Sequence, residues 1–99
     1  MPDVRALAAA YGIRVEIADL GDWGTATLRA EYDPAGPVIR INERAFPAEG
    51  QNAIDRAIAH ELYHHREAIG EIPRVRDRAA REAAAEAFAE TLVTADRAL

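Results

Sequence analysis

The chain has 99 residues, of which 49% are hydrophobic, so it can form one small domain with a real core and is too apolar to be disordered. A formal net charge of −5 argues against a nucleic-acid-binding protein, and the lack of cysteine excludes disulfides and thiolate metal sites. The sequence contains neither an apolar run of about 20 residues nor a signal peptide, which predicts a cytoplasmic protein without a membrane partner.

The first predicted element is a helix over residues 3–11, with Asp3 as its N-cap and Gly12 just beyond its C-terminal end. Residues 13–17 alternate apolar and polar side chains with period two, which predicts a half-buried strand. A turn is expected at residues 20–24, where glycine and aspartate are concentrated. The chain therefore opens with a helix and a strand.

Two further strands are predicted before the helical half of the chain. Residues 25–32 alternate with period two, and residues 38–42 form a short apolar stretch. Residues 33–37, with two prolines and a glycine, are typical of a turn, so we expect the two strands to be antiparallel. If residues 38–42 form a sheet edge, Arg40 and its neighbours would bind an extended substrate by strand addition.

The second half of the chain is predicted to be helical. Apolar residues recur at helical spacing over residues 52–69, and Gly70 and Pro73 then end the helix. A second long helix, rich in alanine and glutamate, is predicted over residues 75–97. The sequence thus predicts one α+β domain over residues 1–99: an N-terminal helix, a small, mainly antiparallel three-stranded sheet, and two C-terminal helices.

The motif that points to a function is His60-Glu61-Leu62-Tyr63-His64, which matches H-E-x-x-H within the first long helix. Residues four apart share a helix face, so His60 and His64 can bind one zinc ion, and Glu61 can act as general base on a water at the metal. A solvated face of histidine and glutamate is the alternative. Helical geometry disfavours it, because Glu61 falls on the apolar stripe of this helix.

The class of the third ligand follows by elimination. A catalytic zinc site has three protein ligands and leaves the fourth position open. Cysteine is absent, and the only other histidine, His65, points about 100° away from His64 and is expected to lie in the core. The ligand must therefore be a carboxylate. The acidic residues after the motif are Glu67, Glu71, Asp77, Glu82, Glu86, Glu90 and Asp96.

Among these carboxylates, Glu82 is the predicted ligand. Glu67 and Glu71 are too close in sequence to the histidines, whereas helical geometry places Glu82 inside the apolar stripe of the last helix. A carboxylate in that position needs a cation. Glu86, one turn further, is predicted to accept a hydrogen bond from one of the metal-binding histidines and to orient its ring. The alternative for Glu82 is a solvated acidic pair with Glu86, and the alternative for Glu86 is a surface carboxylate paired with Arg78 or Arg81.

The two helical motifs together resemble those of the ImmA/IrrE-type zinc metallopeptidases, a gluzincin family with a second motif E-x-x-A-x-x-F-A. Residues 82–89, Glu-Ala-Ala-Ala-Glu-Ala-Phe-Ala, match it at each specified position. Residues 7–17 and 38–42 are similar to the family's opening helix and strands, and the chain is similar in size to minimal single-domain gluzincins. At Glu86 the family often has aspartate or asparagine.

The resemblance implies that His60, His64 and Glu82 bind zinc and that Glu61 is the catalytic base. It also implies a typical substrate, namely a separate helix-turn-helix repressor. No helix-turn-helix pattern is visible in this chain, so such a partner would be another protein.

These observations predict a zinc-dependent endopeptidase that hydrolyses peptide bonds with metal-activated water and Glu61 as general base. The alternative is a non-catalytic regulatory or binding domain stabilised by zinc, since a small domain gains folding free energy from a metal. The presence of Glu61 argues against it, because a structural site does not need that residue. Tyr11, Tyr32 and Tyr63 are candidate donors to an oxyanion, and the sequence does not choose among them.

Overall fold

The computed structural model of the protein describes residues 3–19, 30–46 and 50–97. The predicted turn at residues 20–24 and residues 25–29 of the predicted second strand lie outside these ranges. The elements are α1 (Val4–Ala10), β1 (Arg14–Ala18), β2 (Ala30–Asp33), β3 (Val38–Asn42), a short 3₁₀ helix (Glu43–Ala45), α2 (Gly50–Ala68) and α3 (Arg78–Arg97). Their order confirms the predicted α+β class.

The three strands form one mixed sheet in the order β1–β3–β2. β3 is antiparallel to β2, as the intervening turn predicts, but it is parallel to β1. The sheet is therefore mixed rather than mainly antiparallel. The burial of β3 explains its central position, because four of its five residues are buried and only Arg40 is partly exposed. A nearly continuous apolar strand of this kind belongs in the middle of a sheet.

Because β3 has a partner strand on each side, the expectation that Arg40 and its neighbours form a substrate-binding edge is wrong. The guanidinium of Arg40 instead contacts carboxylates on both neighbouring strands, with Glu31 at 3.1 Å and Glu16 at 3.5 Å. Within the described residues, β2 pairs only with β3, and both of these strands pack beside α2. The sheet edge next to the H-E-x-x-H helix is therefore β2.

Helix α2 is the central element of the core, because it packs against both the sheet and α3. Its buried side chains follow helical spacing through Ile58 and Leu62 to His65. The fully buried side chains of Ile39 and Ile41 on β3 pack into the same cluster. This packing places the motif-bearing face of α2 between the sheet and α3.

The connection from α2 to α3 contains Gly70, whose φ of +77° ends the right-handed helix where the sequence predicts it. α3 begins at Arg78, later than predicted, because Oδ2 of Asp77 caps the helix by accepting the backbone N–H of Ala80 at 3.1 Å. Val75 is consequently exposed. Between Arg78 and Val93, the buried residues of α3 are Ala85, Ala89 and Val93. No helix among the described residues is both long enough and apolar enough to cross a bilayer.

Candidate metal centre

The three predicted metal ligands meet where α2 faces the first turns of α3. Nε2 of His60 lies 2.9 Å from Oε2 of Glu82, and Nε2 of His64 lies 3.3 Å from Oε1 of the same carboxylate. The two Nε2 atoms are 3.3 Å apart. One donor atom from each residue can be chosen so that all lie within 4.8 Å of one another. The structure therefore brings these three side chains to one point.

The spacing of these atoms fits a tetrahedral metal ion. Zinc binds imidazole nitrogen and carboxylate oxygen at about 2.0–2.2 Å, which places neighbouring ligand atoms of a tetrahedron roughly 3.3 Å apart. The observed separations are 2.9 and 3.3 Å. Two imidazoles and one carboxylate also form a ligand set of the type found in catalytic zinc sites, with a fourth position left open.

Both histidines have their second ring nitrogen engaged by a carboxylate. Nδ1 of His60 lies 2.5 Å from Oε1 of Glu86, and Nδ1 of His64 lies 3.0 Å from Oε1 of Glu67. Because an ionised carboxylate can only accept, each Nδ1–H donates, and a neutral ring in this arrangement presents the lone pair of Nε2. Two lone pairs then converge on the Glu82 carboxylate. A metal cation at that point would be attracted by all three groups.

Glu67 is the site residue that sequence analysis missed, because it was considered only as a metal ligand. Its side chain is only 2% exposed, and its Oε2 accepts a hydrogen bond from Nε of Arg81 at 3.3 Å. Burial alone would raise the pKa of Glu67, but the hydrogen bonds from His64 and Arg81 outweigh it and hold the pKa below its usual value. The available signal was the spacing of three residues from His64 on one helix.

Glu82 lies beside the histidines but not in the environment predicted for it. Its side chain is 49% exposed, whereas the helical wheel placed it inside the apolar stripe. The stripe of α3 begins at Ala85, one turn later, because the part of α3 around Glu82 lies along an open cleft. Glu86 is exposed as well and lies against His60. The structure thus brings both glutamates to the site from the cleft side.

Glu61 lies beside the buried stripe of α2, not at its centre, which is formed by Ile58 and Leu62. It lines two cavities. One, of about 420 Å³, lies on the side of His60, and the other, of about 370 Å³, lies on the side of His64. Glu61 is therefore accessible from both directions along the cleft.

The surroundings of Glu61 suit a general base. Burial raises the pKa of its carboxyl group, and the nearby carboxylate of Glu82 adds to the rise. The positive charge of the two motif histidines, when they are protonated, acts in the opposite direction. A carboxylate whose pKa is raised is a stronger proton acceptor.

His65 lies in the core, as the sequence predicts. It is 5% exposed, its Nδ1 is hydrogen-bonded to the hydroxyl of Tyr32 at 2.7 Å, and its ring makes edge contacts with Tyr11 and Tyr32. Burial lowers the pKa of His65, which favours the neutral ring. His65 is therefore hydrogen-bonded within the core and is not one of the three residues whose ligand atoms converge.

Of the three candidate oxyanion donors, Tyr32 is the one that lines the cavity containing Glu61 on the His64 side. The hydroxyl of Tyr11 is instead bound to Glu71 at 2.5 Å. The ring of Tyr63 packs against an aromatic ring of α3. The structure therefore favours Tyr32 by position alone, since its hydroxyl is also hydrogen-bonded to His65.

A helix with H-E-x-x-H, a second helix that brings a glutamate to the same point, and a sheet edge alongside define the class as a metallopeptidase-like domain. The sequence profile of the IrrE N-terminal-like domain, a peptidase family, matches residues 8–99, and the chain belongs to this family. The resemblance inferred from the two helical motifs is thereby confirmed. No curated protein and no solved structure shows significant similarity to the chain.

Proposed function

We propose that the protein is a zinc-dependent endopeptidase in which His60, His64 and Glu82 bind the metal. The observation that carries the proposal is the convergence of two Nε2 atoms and one carboxylate, while both Nδ1 atoms are held by other carboxylates. When bound, zinc supplies a Lewis acid that lowers the pKa of a water molecule and polarises the carbonyl of the scissile bond.

Glu61 is the general base in this proposal. It takes a proton from the attacking water and then delivers that proton to the nitrogen of the leaving amine. Its position next to His60 in the chain, its place on the cleft and its raised pKa support this role. A zinc-stabilised domain without catalysis would have no use for a carboxylate there.

Strand β2 is the proposed docking edge for the substrate. It is an edge strand in the described part of the sheet, and it runs beside α2. Ala30 lines the cavity on the His60 side, and Tyr32 lines the cavity on the His64 side. An extended peptide added to this edge would pass Glu61 and have room on both sides of it, which allows cleavage within a chain.

The proposed substrate is a separate regulatory protein, and a helix-turn-helix repressor is the first candidate. This part of the proposal rests on membership of the IrrE-like family and on the substrate that the ImmA/IrrE resemblance implies. Incubating the zinc-loaded protein with the products of neighbouring genes, followed by mass spectrometry of the fragments, tests it. Intact products throughout would contradict it.

The proposed mechanism is tested with Glu61→Gln, which keeps the shape of the side chain and removes the base. We expect this variant to bind zinc as the wild type does and to hydrolyse peptides about 10²–10⁴-fold more slowly. Glu43→Gln in the 3₁₀ helix, which lines neither cavity that contains Glu61, is the matched control and should cleave normally. Wild-type cleavage by Glu61→Gln would disprove the general base. A zinc-loaded wild type that cleaves nothing would favour the non-catalytic alternative.

A further inference from the structure

Arginine is concentrated in the segment that connects α2 to α3 and in the first turn of α3. Residues 74–81 contain four of the twelve basic residues, although the whole chain has a net charge of −5. The only acidic residue among them is Asp77, whose Oδ2 is used as the helix cap. This short segment is therefore a cationic island on an acidic protein.

Three of these arginines line the cleft on the His64 side. Arg74 lines a cavity of about 190 Å³ together with Tyr32 and His64. Arg78 and Arg81 line the cavity of about 370 Å³ that also contains Tyr32, His64, Glu61 and Glu82. The cationic island thus borders the proposed catalytic residues and the end of the edge strand β2.

Among the described residues, only one of the three arginines is paired within the protein. The guanidinium of Arg81 is paired with Glu67, but within the described residues neither Arg74 nor Arg78 makes a salt bridge. The other end of the cleft differs, because Arg56 there is held by Glu90 at 2.6 Å and the remaining lining includes Ala53 and other alanines. The positive charge is therefore concentrated on one side of Glu61.

The carboxylates of the site do not account for these charges. A divalent cation held by the two histidines and Glu82 would balance the charges of Glu82 and Glu61. Arg81 balances Glu67, and the carboxylate of Glu86 lies at the other end of the cleft, on the His60 side. Arg74 and Arg78 would then remain as uncompensated positive charges beside the cleft. Guanidinium groups present a planar fork that matches the two oxygens of a carboxylate.

From this placement we infer that Arg74 and Arg78 form a substrate subsite for a carboxylate on the His64 side of the scissile bond. The inference rests on the proposed peptidase function and adds a substrate class to it. The carboxylate is either an aspartate or glutamate side chain or the C-terminus of the substrate chain. In both cases the recognised chemistry is the same.

The test is cleavage-site profiling of the zinc-loaded, full-length protein on a proteome-derived peptide library, read by mass spectrometry. We expect aspartate and glutamate to be enriched at one position on one side of the cleaved bond. Cleavage at a constant distance from the peptide C-terminus would instead support the inference with the terminal carboxylate as the recognised group. A library with amidated C-termini separates the two sources, because amidation removes the terminal carboxylate and leaves the acidic side chains.

Arg74→Gln and Arg78→Gln should each reduce the enrichment roughly two- to fivefold, the range of a single exposed ion pair. Arg76→Gln is the matched control, because Arg76 lies in the same exposed segment but lines neither cavity, and it should leave the profile unchanged. Cleavage without any preference for a carboxylate would overturn the inference and leave the peptidase function intact. An absence of cleavage by zinc-loaded protein would overturn both.

Discussion

The carboxylate of Glu67 lies 3.0 Å from Nδ1 of His64, across the ring from the nitrogen that faces Glu82. Glu67 is buried, and Arg81 on α3 holds its other oxygen. The contact therefore fixes the orientation of a proposed zinc ligand. The ion pair between Glu67 and Arg81 also ties α2 to the residue of α3 that immediately precedes Glu82.

Glu67→Ala should weaken zinc binding by roughly 10–100-fold, because the ring of His64 would lose the acceptor that orients it. Glu67→Gln should have a smaller effect, since an amide oxygen still accepts from Nδ1–H but lacks the charge. Competition with a chromogenic chelator measures both affinities. Glu71→Gln is the control, because that carboxylate binds Arg66 and Tyr11 away from the site. Unchanged zinc affinity in Glu67→Ala would show that Glu67 does not orient His64.

Tyr32→Phe should lower the free energy of unfolding by about 1–3 kcal/mol, because a buried ring nitrogen of His65 would lose its hydrogen-bond partner. Tyr11→Phe should cost less, since the hydroxyl of Tyr11 bonds to the exposed Glu71. Urea denaturation of both variants gives the comparison. Equal destabilisation of the two variants would mean that the contact between Tyr32 and His65 contributes little.

The contribution of Glu71 to stability should disappear in acid. Hydrogen bonds from Tyr11 and from Arg66 lower the pKa of Glu71 below the usual 4.5. A depressed pKa in the folded state means that the stabilisation is present above pH 4.5 and is lost as the pH falls through the folded-state pKa. We therefore expect Glu71→Gln to melt at a lower temperature than wild type at neutral pH.

The difference in melting temperature between wild type and Glu71→Gln should shrink as the pH falls below 4.5. Differential scanning fluorimetry across the acid range measures this difference. Glu43→Gln is the control, since Glu43 makes no salt bridge within the described residues and its replacement should cause no pH-dependent difference. A gap for Glu71→Gln that persists unchanged in acid would rule out the ionised carboxylate as its source.

The features that depend on local spacing could be predicted from the sequence. His60 and His64 lie on one helix face because they are four residues apart, and Gly70 ends that helix because it can adopt a positive φ. The third strand is also predicted with its observed bounds, since its apolar run and flanking turn are local signals. Such patterns need no knowledge of the tertiary fold.

The features that depend on contacts between distant segments could not be predicted. The parallel pairing joins β1 to β3, although β2 lies between them in the sequence. No turn connects the two paired strands, so no local signal predicts their pairing. The exposure of Glu82 depends on where along α3 its contact with the core begins. Helical periodicity does not show this and places Glu82 in the apolar stripe. The spacing of Glu67 from His64 is a local signal, but its pairing with Arg81 depends on a second helix and could not be predicted.

The central claim is that His60, His64 and Glu82 together hold a zinc ion, and the zinc content of purified protein tests it most directly. After zinc loading and removal of unbound metal, native mass spectrometry should find one zinc ion per wild-type chain. Glu82→Ala should lose that ion, whereas Glu90→Ala, on the same helix but outside the site, should keep it. A full complement of zinc in Glu82→Ala, or none in the wild type, would contradict the account.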